Sequence, residues 1–337
     1  MRIGASLPTS GPLASSAFIR EFARTCEDWG YDTVWMSDHV TWTAEDAAHH
    51  LPVGSLDLWR EGMEPQHYDP MATLSYLAGM TSRVRLGTGI LVLPVRNPVV
   101  LAKEAASLDE LSGGRLMLGV GVGGTGFADA EFGAVGARSL RRHRGRVMDE
   151  WIEVMRGVWS QPSFRHDGEF IQVGDTTIYP KPRQPGGPPI LVGGDSPTAL
   201  ERVARHADGS LVTRLAPARV AQRREQLADL AKPHGRSGID FHLAVVRWLS
   251  IADHQGVAEA AAEPTLAGMR RGGRAVTDDV LHFVGTPDRL REMVAEFHSA
   301  GVDEVILQVI GASEAAVIES LQRFREEVLD EVDGGPA

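Results

Sequence analysis

Ser37-Asp38-His39 follows directly on an apolar, β-prone run, Tyr31-Asp32-Thr33-Val34-Trp35-Met36. A run of this kind reads as a strand covered on both faces. An acid beside an imidazole is costly inside a core, so the pair belongs where the strand ends. In a (β/α)8 barrel that carboxyl end is the catalytic face. Histidine in general titrates near ~6.5, which suits proton transfer at neutral pH. His39 is therefore the candidate general acid/base, with Asp38 orienting it. The bland alternative is a barrel-end histidine satisfied by its neighbour.

Three glycine-bearing stretches could receive a ligand. Gly121-Val122-Gly123-Gly124-Thr125-Gly126 matches a G-x-G-x-x-G pattern after a strand. Its context argues against a dinucleotide fold, because it follows the fourth strand rather than the first. The next residues give no clear helix start, and the region about twenty residues on is basic. Gly193-Gly194-Asp195-Ser196-Pro197 joins a strand to a helix. Ser196 is a natural N-cap, Pro197 suits the first helical position, and the open N–H groups there favour a phosphate. Gly87 and Gly89 interrupt a strong strand around Ile90, which marks either a bulge, a close ligand or tight barrel packing. Arg141-Arg142-His143-Arg144-Gly145-Arg146 opens a helix against its dipole, a pattern that suggests an anion as well as a solvated basic face.

These residues need elements to hold them. Strands are expected over 2–7, 33–37, 84–93, 115–121, 189–193, 209–213, 241–251 and 304–309. Helices alternate with them over 15–30, 70–82, 97–111, 139–159, 197–206, 216–232, 287–300 and 314–330. Eight strand–helix units without a polar linker predict a single (β/α)8 TIM barrel spanning 1–330, with 331–337 as a frayed tail. Segments near 40–68, 161–188 and 252–286 exceed the minimal barrel and read as insertions. The first of them, with Trp42, His49, His50, Trp59 and His67, is a candidate wall of a substrate pocket or a lid on the rim.

Of the 337 residues 43% are hydrophobic, enough for a sizeable core, and the net charge of −11 argues against nucleic acid. No stretch approaches the ~18 apolar residues of a membrane span. The N-terminus lacks the apolar core of a signal peptide, so a cytoplasmic protein is expected. The one cysteine, Cys26, excludes an internal disulfide and a cysteine-based metal cluster, and the histidines lack a metal-ligand spacing, so no metal is expected.

Taken in order, several segments resemble the luciferase-like flavin or deazaflavin oxidoreductases, most closely their coenzyme F420 branch. They are Trp35-Met36-Ser37-Asp38-His39, Thr81–Leu91, Leu93-Pro94-Val95-Arg96-Asn97-Pro98, Leu108–Arg115, Leu118–Gly123, Ile190–Gly194 and Val284-Gly285-Thr286-Pro287. The resemblance implies a tricyclic ring at the carboxyl ends of the strands, beside Asp38-His39. It implies a non-prolyl cis peptide at Gly89-Ile90 behind the ring, Gly121 and Gly123 bordering it, and Gly193, Gly194, Ser196 and Arg144 toward its phosphate. One departure stands out: the family's sugar-phosphate dehydrogenases carry a glutamate just after the fourth strand, where this chain has Gly124 and no acid before Asp129. That argues against sugar-phosphate oxidation by their mechanism, and leaves His39 to manage the proton alone.

Three functions follow as alternatives. The first is F420-dependent hydride transfer to or from a small organic substrate. The second is an FMN-dependent monooxygenase using O2 and reduced FMN from a partner reductase. The third is a non-catalytic flavin-binding protein. A homodimer is a family expectation.

Overall fold

The strands are assembled by residues that start helices. A computed structural model of the chain describes residues 1–41, 66–124, 128–213, 215–271 and 282–330. Trp42, most of the 40–68 insertion and the 331–337 tail lie outside the described residues. Ser15, Asp69, Asn97, Ser196, Thr286 and Ser313 each accept a backbone N–H two or three residues on as N-caps, and in four cases proline follows at once. This side-chain bond satisfies a helix-end donor, and the fixed φ of proline suits the first turn.

In chain order the elements are β1 (Arg2–Ser6), α1 (Ser16–Asp28), β2 (Thr33–Met36), α2 (Pro70–Ala78), β3 (Arg85–Val92), α3 (Pro98–Leu111) and β4 (Leu116–Gly121). Then come α4 (Ala128–Ala134), α5 (Arg144–Ser160), β5 (Phe164–Asp167), β6 (Gln172–Thr176), β7 (Ile190–Gly193), α6 (Pro197–His206) and β8 (Gly209–Val212). The last are α7 (Val220–Ala231), β9 (His242–Ile251), α8 (Gln255–Arg271), β10 (Phe283–Gly285), α9 (Pro287–Ser299), β11 (Glu304–Val309) and α10 (Glu314–Phe324).

β1, β2, β3, β4, β7, β8, β9 and β11 pair in parallel, and β8 meets β9 to close the circle. This is the expected TIM barrel. Trp35, Met117, Leu191, Leu211, Ala244 and Ile306 fill its interior, with Ile90 and Val246 packed on them. The larger core lies between barrel and helices, and holds Cys26, whose thiol burial pushes well above its usual pKa.

The structure departs from the sequence expectation at the insertions. Residues 161–188 carry an antiparallel hairpin, β5–β6, that forms a sheet of its own. The 252–286 segment contains α8 and the short β10 rather than loop alone. β10 pairs with the last residues of β9, while β8 pairs with the first. The buried Arg247 lies between these two pairings and donates to the carbonyls of Thr213, Val246 and Leu215. The helix expected over 139–159 begins as a 3-10 turn at Arg138–His143 and becomes α-helical only at Arg144.

Candidate active site at the carboxyl ends of the strands

β2 ends at Met36, and Ser37-Asp38-His39 follow on the rim as the pattern requires. Asp38 is buried, and both its oxygens are committed. Oδ1 accepts from Arg96 Nη2 at 2.6 Å, and Oδ2 accepts from Arg96 Nε at 3.2 Å and from Val92 N at 3.0 Å. Arg96 also donates to Asp69 at 3.0 Å. Burial works against the guanidinium charge, but the hydrogen bonds and charges of Asp38 and Asp69 outweigh it and push the Arg96 pKa up. Asp38 thus clamps β2 to the end of β3. Instead of the expected role of orienting His39, the described contacts commit both its oxygens to Arg96 and the Val92 N–H.

The acid beside His39 is Glu131. Its Oε2 lies 3.4 Å from His39 Nδ1, and its Oε1 accepts the Val40 N–H at 2.7 Å. Glu131 is 1% exposed, so its charge is held by these groups rather than by water. It comes from α4, where the sequence reading placed no clear helix start. Phe132, fully buried against Val92 and Val95, anchors that short helix under the rim. Burying a phenyl ring contributes about 2 kcal/mol, enough to fix a two-turn helix that could not stand alone. Asp129, the first acid after β4, pairs with Arg141 instead. The sequence signal for Glu131 was its place before a large apolar residue, visible once the helix is recognised.

His67 stands edge-on to His39, with ring centroids 5.9 Å apart. Gly11 N–H to Gln66 O and Tyr68 N–H to Thr9 O, at 3.1 Å each, tie its segment to the loop after β1. Burial, helped by the neighbouring His39, pushes the His67 pKa down to about 4 against the pull of Glu131 and Asp69. His67 is therefore neutral at pH 7.

The glycines have separate reasons. The Gly89–Ile90 peptide is cis, as expected, and falls where the β3–β4 register shifts between Thr88 and Leu91. Ile90 turns inward over β4 and β7. A Cβ on Gly121 would come within 2.0 Å of Ile90 Cδ1, and one on Gly193 within 2.8 Å. These two glycines make room for Ile90, which becomes part of the floor of the barrel mouth. Gly123 (φ +83°) and Gly194 (φ +114°) hold backbone conformations that L side chains rarely adopt.

Gly194 and Ser196 are exposed at the start of α6, where Ser196 Oγ accepts from Ala199 N at 3.2 Å. Beside them is a cleft of about 170 Å3 lined by Asp195, Pro197, Leu215, Arg219 and Arg223 among others. Arg223 pairs with Asp195 at 3.0 Å and keeps a buried Nη1 without a partner. Of the arginines opening α5, Arg141 pairs with Asp129, Arg142 donates to His143 and Arg146 holds Glu169, whereas Arg144 has no ion pair among the described residues. Open glycine backbone, a capped helix start and uncommitted cationic donors suit a phosphorylated flat ring. No group of three or more His, Cys, Asp or Glu among the described residues is arranged to hold a metal. No described helix is long and apolar enough to cross a membrane.

The family profile of luciferase-like monooxygenases matches residues 1–331. The chain belongs to that family. Among curated relatives, the F420-dependent glucose-6-phosphate dehydrogenase of Kineococcus radiotolerans is 32% identical over 197 residues, 58% of this chain and 52% of the relative. The chain spans just under two thirds of the length of the first curated relatives it matches. An F420-dependent secondary alcohol dehydrogenase in complex with an F420–acetone adduct shares the fold at a TM-score of 0.77 and 18% identity, covering 97% of this chain and 98% of that one. A type II Baeyer–Villiger monooxygenase, the oxygenating constituent of 3,6-diketocamphane monooxygenase from Pseudomonas putida in complex with FMN, does so at 0.75 and 18%, covering 98% of each. Proteins of this fold that resemble the chain thus include one described in complex with an F420 adduct and one in complex with FMN.

Proposed function

We propose that the protein is an F420-dependent oxidoreductase that moves a hydride between the deazaflavin and a small organic substrate. The observation that carries the reading is the pair of His39 and buried Glu131 on the carboxyl rim of the barrel. The deazaflavin supplies the hydride chemistry when bound; the protein supplies position and the proton. Gly194, Ser196 and Arg144 would hold its phosphate, Gly89, Ile90, Gly121 and Gly123 its ring, and Gly193 the backbone between. His39 would give the proton to, or take it from, the substrate oxygen. Asp38 contributes by fixing the rim through Arg96 and Val92. Gly124 is exposed and carries no acid. Among the described residues the acid beside His39 comes instead from α4, so the substrate is proposed to be something other than a sugar phosphate.

Fluorescence titration of the purified protein with F420 and then FMN tests the cofactor. F420 binding in the low-micromolar range or tighter is expected. Tight FMN binding with oxygen consumption and no F420 affinity would replace this reading by the monooxygenase one. His39→Ala is expected to lower kcat about 10²–10⁴-fold, the usual worth of a general acid/base, with F420 affinity unchanged. Full kcat in that variant would remove His39 from the chemistry.

A further inference from the structure

We propose that Glu131 is the positioning residue that sets the tautomer of His39, holding the proton on Nδ1 and making Nε2 the basic nitrogen that meets the substrate. The inference rests on the reading of His39 as acid/base. Its physical basis is separate. An ionised carboxylate can only accept hydrogen bonds. Glu131 Oε1 is taken by the Val40 N–H at 2.7 Å, which aims Oε2 at His39 Nδ1. A neutral imidazole facing that oxygen lowers its energy by placing its N–H there, which leaves the lone pair on Nε2. The 3.4 Å separation is long for such a bond, and contacts of this kind tighten when ligand binds.

The groups around the pair reinforce the assignment. Asp38 is committed to Arg96 and Val92 N–H and does not compete for the ring. His67, held neutral by burial, adds no positive charge to offset Glu131. Glu131 also grips the backbone of residue 40, so one carboxylate fixes both the ring and the chain that carries it. No other residue described on the rim combines both contacts. The proton balance is simple: Nε2 takes the hydroxyl proton as hydride leaves an alcohol, or returns it as hydride reaches a carbonyl. Nδ1–H stays on Glu131 throughout.

The test reads the imidazole directly, without cofactor. Two-bond 1H–15N correlation spectra of the 15N-labelled full chain report which nitrogen of a neutral histidine is protonated, and His39→Ala assigns the signal. In the native protein the Nδ1–H form of His39 is expected to dominate. In Glu131→Gln the amide oxygen can still accept from Val40, while its NH2 donates to Nδ1, so the Nε2–H form should take over. kcat should then fall roughly 10²-fold with KM and F420 affinity little changed. In a His39→Ala background, Glu131→Gln should cost nothing further. A dominant Nε2–H form in the native protein, or an unchanged tautomer in Glu131→Gln, overturns the proposal. If Glu131→Gln does not fold, the native spectrum alone still decides. Should His39→Ala keep its activity while the tautomer behaves as expected, the acid/base reading fails and the positioning of the ring stands.

Discussion

Asp38 is the residue at which catalytic and structural explanations make opposite predictions. Its carboxylate is buried, paired with Arg96 and bonded to a backbone N–H. Removing one partner of such a pair leaves an uncompensated charge and costs several kcal/mol. Asp38→Ala is expected to lower stability by about 3 kcal/mol, near the low end because Asp69 still holds Arg96. Asp38→Asn keeps an acceptor for Val92 but loses the charge, and about 1.5–3 kcal/mol should go with it. Urea unfolding monitored by circular dichroism measures both. If Asp38→Asn lost activity with no change in the urea midpoint, Asp38 would belong to the chemistry and the clamp would be incidental.

At the scale of elements, Ile90 and its two glycines form a packing unit joining three strands. Ile90 rises from β3, and Gly121 of β4 and Gly193 of β7 leave the volume it fills. Gly121→Ala is expected to cost about 1–3 kcal/mol through overpacking. Ile90→Ala should relieve most of that cost, so the double variant will be more stable than the sum of the two singles predicts. Additive effects would show that Ile90 moves aside freely and that the glycines serve something else. The barrel strands were legible in the sequence because each is an apolar run, and a capping side chain with proline behind it opens the helix soon after β3 and after β7. The strand-end pair and the glycine breaks were legible for the same reason, since each interrupts a strong local pattern. His67 stood in the candidate wall, but its place against His39, the Glu131–His39 pair and the Asp38–Arg96 clamp were not legible, because they join distant segments and no periodicity encodes that. One family segment also acquires a structural explanation. In Leu108–Arg115, Asp109 holds Gln184, and Arg115 caps the carbonyls of Ala78, Thr81 and Val84. These bonds tie helix ends to strand starts, opposite the candidate site.

Across the whole molecule, three histidines held neutral at separate places make stability depend on pH. Burial pushes His67, His206 and His282 each down to about 4. His67 lies on the candidate site's rim, His206 at the end of α6, and His282 beside β9, where its Nδ1 accepts the Trp248 N–H at 3.4 Å. In the unfolded chain each would titrate near ~6.5. Between those two values the unfolded chain binds protons that the folded chain excludes, so the stability these groups contribute is complete above about pH 6.5 and falls as pH drops toward 4. Below that it stops changing, since both states are then protonated. Urea midpoints measured from pH 7.5 to 4.5 should therefore decline steeply below 6.5, with a slope approaching three protons. Because the three sites are independent, His206→Gln should reduce that slope by one proton and leave the candidate site untouched. A midpoint flat across this range would mean that the folded molecule opens enough at each site to admit the proton.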